Sequence, residues 1–98
     1  TKILIAGLAY KPGVADIRES PSIEILKIMK ELGYESYWYD PLVDSIDNHG
    51  RANLSDVYSG VIVTLPGQDL PIDTWIKSGS KILDCTGFYR AYSEVTQL

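Results

Sequence analysis

Four apolar runs, at 2–6, 35–39, 60–65 and 81–84, alternate along the chain with segments of mixed polarity. The first, Ile3-Leu4-Ile5-Ala6 after Lys2, is apolar throughout, which predicts a strand buried on both faces, as parallel strands are. Downstream, Ile25, Ile28, Met29 and Leu32 fall at i, i+3, i+4 and i+7 and predict the apolar stripe of a helix, widened by Ile23 and Leu26. Glu24, Lys27 and Glu31 fall on its wet side. Ser20 is a favoured N-cap, Pro21 a favoured first helical residue, and Gly33 a natural stop.

Residues 35–39 are β-prone and rich in aromatics, with Tyr37 and Tyr39 alternating against Trp38 as on the two faces of a strand. Asp40-Pro41 ends this strand. Residues 44–53 are polar, with a turn at 48–50, and Asn53 or Ser55 is placed to cap a short helix over 54–58. A third strand is expected at 60–65, a short helix at 71–77 with Ile72, Trp75 and Ile76 facing inward, and a fourth strand at 81–84. Residues 86–98 carry no clear pattern.

Strands alternating with helices predict βαβ units and a mostly parallel sheet, an α/β fold of three layers in the Rossmann-like manner. In such a sheet ligands bind outside the carboxyl ends of the strands. Those ends are the loops at 8–18, 40–43, 64–67 and 84–90, where the chain's unusual residues gather.

At 98 residues the chain is expected to form one domain, with the 45% hydrophobic and 22% charged residues of an ordinary globular protein. No apolar run approaches the length of a membrane span and no signal peptide opens the chain, which begins almost directly in a strand without an initiating Met. That start points to a domain cut from a longer polypeptide. A net charge of −4 argues against nucleic acid, which selects basic patches, but a nucleotide with few charges needs only a local cluster of donors. The single cysteine, Cys85, forbids an internal disulfide and fits a reducing compartment such as the cytoplasm.

The run Gly7-Leu8-Ala9-Tyr10-Lys11-Pro12-Gly13-Val14-Ala15-Asp16-Ile17-Arg18-Glu19-Ser20-Pro21 joins the first strand to the helix. Phosphorylated ligands are held at such strand–loop–helix junctions, and this one carries two cations, Lys11 and Arg18. It lacks the Gly-Lys-Ser/Thr end of a Walker A loop, and Gly7 and Gly13 do not fit Gly-x-Gly-x-x-Gly. General rules therefore give an anion-binding loop and no more. Gly-Leu-Ala-Tyr-Lys-Pro-Gly, followed by Asp-x-Arg-Glu-Ser-Pro and, after the next strand, Tyr39-Asp40-Pro41-Leu42-Val43, resembles the C-terminal domain of the UDP-glucose/GDP-mannose dehydrogenase family. The resemblance is strongest over 2–43 and looser around 54–65 and 81–87.

That resemblance implies a domain binding the UDP part of a nucleotide sugar, within an NAD-dependent enzyme that oxidises the sugar C6 alcohol twice to a carboxylate. It implies that NAD and the catalytic thiol belong to other domains, that the parent enzyme is a homodimer supplying precursors of surface polysaccharide, and that this chain alone is inactive. It places Tyr10 and Lys11 against the sugar nucleotide. Arg18 is placed to reach a phosphate, to brace the loop through Asp16 or Glu19, or to make contacts across an interface with the parent enzyme's other domains, and Asp16 in turn pairs with Arg18 or caps turn amides. Two departures stand out. Ala15 replaces the first of two acids common in relatives, and the fourth strand runs into Asp84-Cys85-Thr86-Gly87-Phe88-Tyr89-Arg90, which resembles the UDP-N-acetylmannosamine dehydrogenase branch more than the UDP-glucose branch. Arg90 is the candidate substitute for the nucleotide-contacting Arg usual there.

Gly7, Asp16, Ser20, Asp40 and Pro41 are read as shaping the site. Asp40 stands where a Rossmann fold places its ribose-binding acid, but the resemblance puts NAD elsewhere. Cys85 reads as a small core residue beside an acid that disfavours its thiolate. His49 stands alone, without further ligands at metal-binding spacing, so no metal is expected. Two rivals remain: a non-catalytic flavodoxin-like interaction or regulatory module, and a stand-alone NAD-binding domain, which fails on the absent glycine fingerprint.

Overall fold

A computed structural model describes residues 2–7, 21–41, 50–64 and 70–97. Strands β1 (Lys2–Ala6), β2 (Glu35–Tyr39), β3 (Gly60–Val63), β4 (Lys81–Asp84) and β5 (Val95–Gln97) form one sheet in the order β2-β1-β3-β4-β5. Every pairing is parallel, with Ile5 opposite Trp38 on one side and Ile62 on the other. Helices α1 (Pro21–Glu31) and α2 (Ile72–Lys77) follow β1 and β3 in the chain and lie on opposite faces, giving the expected three-layer α/β architecture.

The larger core lies on the α2 face, where Leu4, Ala6, Val61, Val63, Ile82 and Val95 from four strands meet Tyr58, Ile72 and Trp75. On the other face Ile5 and Trp38 receive Leu26 of α1, all three fully buried. Helix α1 starts at Pro21 and stops at Gly33, whose φ of +91° admits the left-handed turn. There Gly33 N–H bonds to Lys30 O and Tyr34 N–H to Met29 O, satisfying carbonyls the helix leaves open.

The face that α1 buries differs from the expected stripe. Ser22 and Leu26 point fully inward, whereas Ile28 is 48% and Leu32 65% exposed. The helix sits over β1 and β2, so Met29 and Leu32 rim an open apolar groove with Tyr34, Ile62 and Leu83. Leu26→Ala is therefore expected to lower stability by about 3 kcal/mol, and Leu32→Ala by no more than about 0.5 kcal/mol. Urea unfolding of the two variants measures this, and equal losses would restore the original stripe.

Three further differences follow from local chemistry. Residues 54–58 form a turn instead of a short helix, because Asn53 Oδ1 accepts from both Ser55 N–H (3.0 Å) and Ser55 Oγ (2.7 Å), and Tyr58 Oη donates to Asn53 O. Strand β3 ends at Val63, and Thr64 turns its hydroxyl back toward β1. The unpatterned tail contains β5, three residues added at the sheet edge. The outer edge of β2 is covered by residues 50–52, where Ala52 N–H bonds to Trp38 O (2.7 Å) and Arg51 stacks over the Tyr39 ring at 4.9 Å.

Candidate functional site

Because all five strands run the same way, Gly7, Asp40, Thr64 and Cys85 emerge together at one edge. The chain passes from β1 to β2 on one side and then to β3 on the other, so the switch point of the topology falls between β1 and β3. That is where an open α/β sheet offers its ligand crevice.

A polar node closes the base of this crevice. Gly7 is buried, with φ +97°, and its N–H extends the ladder to Tyr39 O (2.9 Å). Its carbonyl accepts from Ser22 Oγ at 2.6 Å and from Thr64 Oγ1 at 2.7 Å, and the two hydroxyls lie 2.8 Å apart. Thr64 N–H and Oγ1 both donate to Ala6 O as well. The ends of β1 and β3 and the first turn of α1 are thereby tied at one point. Gly7 and Ser22, two of the three residues in this node, flank the stretch that carries Lys11 and Arg18 in the chain.

Asp40 closes β2 and is fully buried, with Pro41 half-buried beside it. The loop after β4 is organised by another buried acid, Asp84, which is 0% exposed. Its Oδ1 accepts from Thr86 N–H (2.8 Å) and Thr86 Oγ1 (2.5 Å), and its Oδ2 from Tyr89 N–H (2.9 Å). Burial alone would push this carboxyl up, but the donors from Thr86 and Tyr89, with the Gln97 side chain, outweigh it and hold the pKa below the ordinary 3.8. Around this loop Cys85, Thr86, Gly87, Arg90 and Gln97 line a cavity of about 470 Å³. Arg90 is exposed and donates from Nε to Gly87 O (3.0 Å).

Of the residues singled out in the sequence, Tyr10, Lys11, Asp16, Arg18, Ser20 and His49 lie outside the described residues. Gly7, Asp40 and Pro41 stand at the ligand edge, and so does Arg90. Cys85 is not a core residue, since it is exposed at the cavity mouth. Its neighbours in the strand alternate inward and outward, and Asp84 takes the inward place. Partial burial and then the Asp84 charge push the thiol up, so it stays protonated near neutrality.

Sequence reasoning passed over Ser22, Thr64, Asp84 and Gly87. A signal existed for two of them: Asp-x-Thr after a strand is an Asx-turn pattern, and Gly87 follows it directly. The pairing of Ser22 with Thr64, 42 residues apart, had none.

Residues 4–65, from the middle of β1 past the end of β3, match the model of the UDP-glucose/GDP-mannose dehydrogenase family, UDP binding domain. The chain belongs to this family. It is similar to the UDP-glucose 6-dehydrogenase TuaD of Bacillus subtilis (strain 168), with 38% identity over 40 residues, 41% of this chain and 9% of that protein. It is also similar in structure to the UDP-N-acetyl-mannosamine dehydrogenase Cap5O from S. aureus. That likeness has a TM-score of 0.73 at 26% identity and covers 98% of this chain but 25% of Cap5O. The chain thus corresponds to a minor part of the relatives it matches.

Dehydrogenases of the family imply NAD, and the residues of this UDP binding domain do not fit it. Asp40, at the position a ribose-binding acid would occupy, is fully buried, and the turn after β1 lacks the dinucleotide glycines.

Proposed function

We propose that the chain is the C-terminal nucleotide-sugar-binding domain, 1–98, of an NAD-dependent UDP-sugar 6-dehydrogenase. The observation that carries this is the coincidence of the family match with the switch-point crevice: the matched residues include Gly7, Ser22 and Thr64, which close the base of that crevice, and the Lys11-bearing run that follows Gly7 in the chain. Tyr10, Lys11 and Arg18 supply donors from that segment, and Arg90 supplies one from the loop after β4. A lysine ammonium and an arginine fork suit the oxygens of a diphosphate.

The domain's contribution is to position the substrate and exclude water, not to carry out hydride chemistry. NAD and the catalytic thiol are supplied by other domains of the parent, which is a cytoplasmic homodimer making precursors of surface polysaccharide, and the chain by itself is inactive. The sugar is a UDP-hexose of the kind that the two named relatives oxidise. Titration of UDP and of NAD into the chain, followed by amide NMR shifts, tests this. UDP is expected to shift residues 8–18 and 84–90, and weakly, because a pocket shared with other domains is not preorganised in one of them. Larger shifts with NAD, or UDP shifts confined to other regions, would overturn the assignment.

A further inference from the structure

We propose that Gly87 and Asp84 are positioning residues that hold Arg90 on the diphosphate of the bound nucleotide. This rests on the UDP-binding reading above and extends it to residues that touch no ligand.

Arg90 is exposed at the cavity beside the loop after β4. Its Nε–H is committed to Gly87 O at 3.0 Å, and among the described residues no carboxylate pairs with its guanidinium. One donor therefore sets the direction of the group, and the four N–H bonds of its terminal nitrogens remain for an anion. The guanidinium rests directly on Gly87: a Cβ built there would lie 2.7 Å from Arg90 Nη2 and 3.7 Å from Cζ. Any side chain at position 87 would displace the guanidinium from its seat. The φ of +79° at Gly87 requires glycine for a second reason.

That seat is in turn fixed from below. Asp84 draws Thr86 N–H, Thr86 Oγ1 and Tyr89 N–H onto one carboxylate, and Thr86 Oγ1 accepts from Phe88 N–H (3.0 Å). The backbone of 85–89 is wound around this buried charge, so the Gly87 carbonyl faces Arg90 without help from a ligand. The cavity beside it opens at the carboxyl edge of the sheet, where a nucleotide is held. An arginine kept in one orientation binds a phosphate through two parallel hydrogen bonds without first giving up side-chain freedom.

The test compares UDP with uridine on the full chain, since a positioned Arg90 acts on the phosphates alone. Gly87→Ala is expected to weaken UDP about tenfold, the loss of one charge-assisted contact, while leaving uridine unchanged. Arg90→Met should do the same, and Gly87→Ala added to Arg90→Met should weaken UDP no further. Thr86→Val, which keeps the glycine but removes one donor to Asp84, should show the same UDP-selective loss and serves if Gly87→Ala does not fold. Unchanged UDP affinity in the folded variants, equal losses for UDP and uridine, or an effect of Gly87→Ala that persists in full without Arg90 would overturn the proposal. Failure of the unaltered chain to bind UDP would overturn the UDP-binding reading along with it.

Discussion

Replacing Asp84 with Ala is expected to lower the stability of the fold by about 4 kcal/mol, a large part of the roughly 5–15 kcal/mol that holds a natural domain together. The carboxylate is fully buried and takes three hydrogen bonds from Thr86 and Tyr89. Bonds to a charged acceptor contribute about 1.5–3 kcal/mol each, and truncation also leaves backbone N–H groups facing a void. Asp84→Asn should lose less, because one side-chain oxygen remains, but its amide would turn N–H groups toward N–H donors. Urea unfolding, followed by the fluorescence of the buried Trp38 and Trp75, gives the values.

The same residue sets a pH dependence. Its folded pKa lies below the unfolded value of 3.8, so its contribution is fully present above that value and is lost as pH falls through the folded pKa. The gap in stability between the native chain and Asp84→Ala should therefore hold from neutrality down to about pH 4 and narrow below it. A gap that narrows instead between neutrality and that point would show that the carboxyl is not held in its ionised form.

Asp84 also shows where the sequence stopped being legible. Beside Cys85 it read as an acid that disfavours a thiolate, and that part of its effect is present. Its bonds from Thr86, two residues on, follow an Asx-turn pattern, but those from Tyr89 and Gln97, five and thirteen residues on, do not, because a pattern of neighbours does not reveal which distant donors a loop will turn inward. By contrast β1, β2 and β4 were legible to the residue, β1 and the centre of β4 as short apolar runs and β2 as a β-prone aromatic run between Gly33 and Asp40-Pro41. Helix α1 lies between the two cases. Pro21 and Gly33 marked its ends, yet apolar residues at 23, 25, 26, 28, 29 and 32 cover more than half its circumference and do not select a face. The choice was made by Ser22, which as a polar residue would be assigned to solvent, but whose hydroxyl has Gly7 O to bond inside. Strand β5 stayed hidden because Val95, Thr96 and Gln97 are too few to show a period.

The site divides along the same line. The residues proposed to meet the ligand were readable as motif, since Lys11 and Arg18 stand in a long ordered run. The residues that shape the described part of the edge were not, because a hydroxyl beneath a carbonyl or a glycine beneath a guanidinium acts through a partner elsewhere in the chain. Gly7, Ser22 and Thr64 hold one side of the crevice and Asp84 with Gly87 the other, with Arg90 seated on that second side.

The largest functional effect is expected at Lys11. In the proposed parent enzyme, Lys11→Ala should remove the proposed charge-assisted contact to the nucleotide, worth about 1.5–3 kcal/mol, or about 10–150-fold in affinity. A contact made equally to bound substrate and to the transition state raises KM and leaves kcat largely in place. The expected outcome is therefore a KM for the UDP-sugar raised by at least about tenfold, with kcat within a few-fold of the native value. Lys11→Arg should recover part of the loss, since charge is kept while the compact ammonium is replaced by a planar fork. Urea unfolding of Lys11→Ala is expected to match that of the native protein, since the lost contact is to the nucleotide. Unchanged KM in Lys11→Ala would show that this lysine is a solvated surface residue, and the nucleotide's negative charge would then have to be met by Arg18 and Arg90 alone.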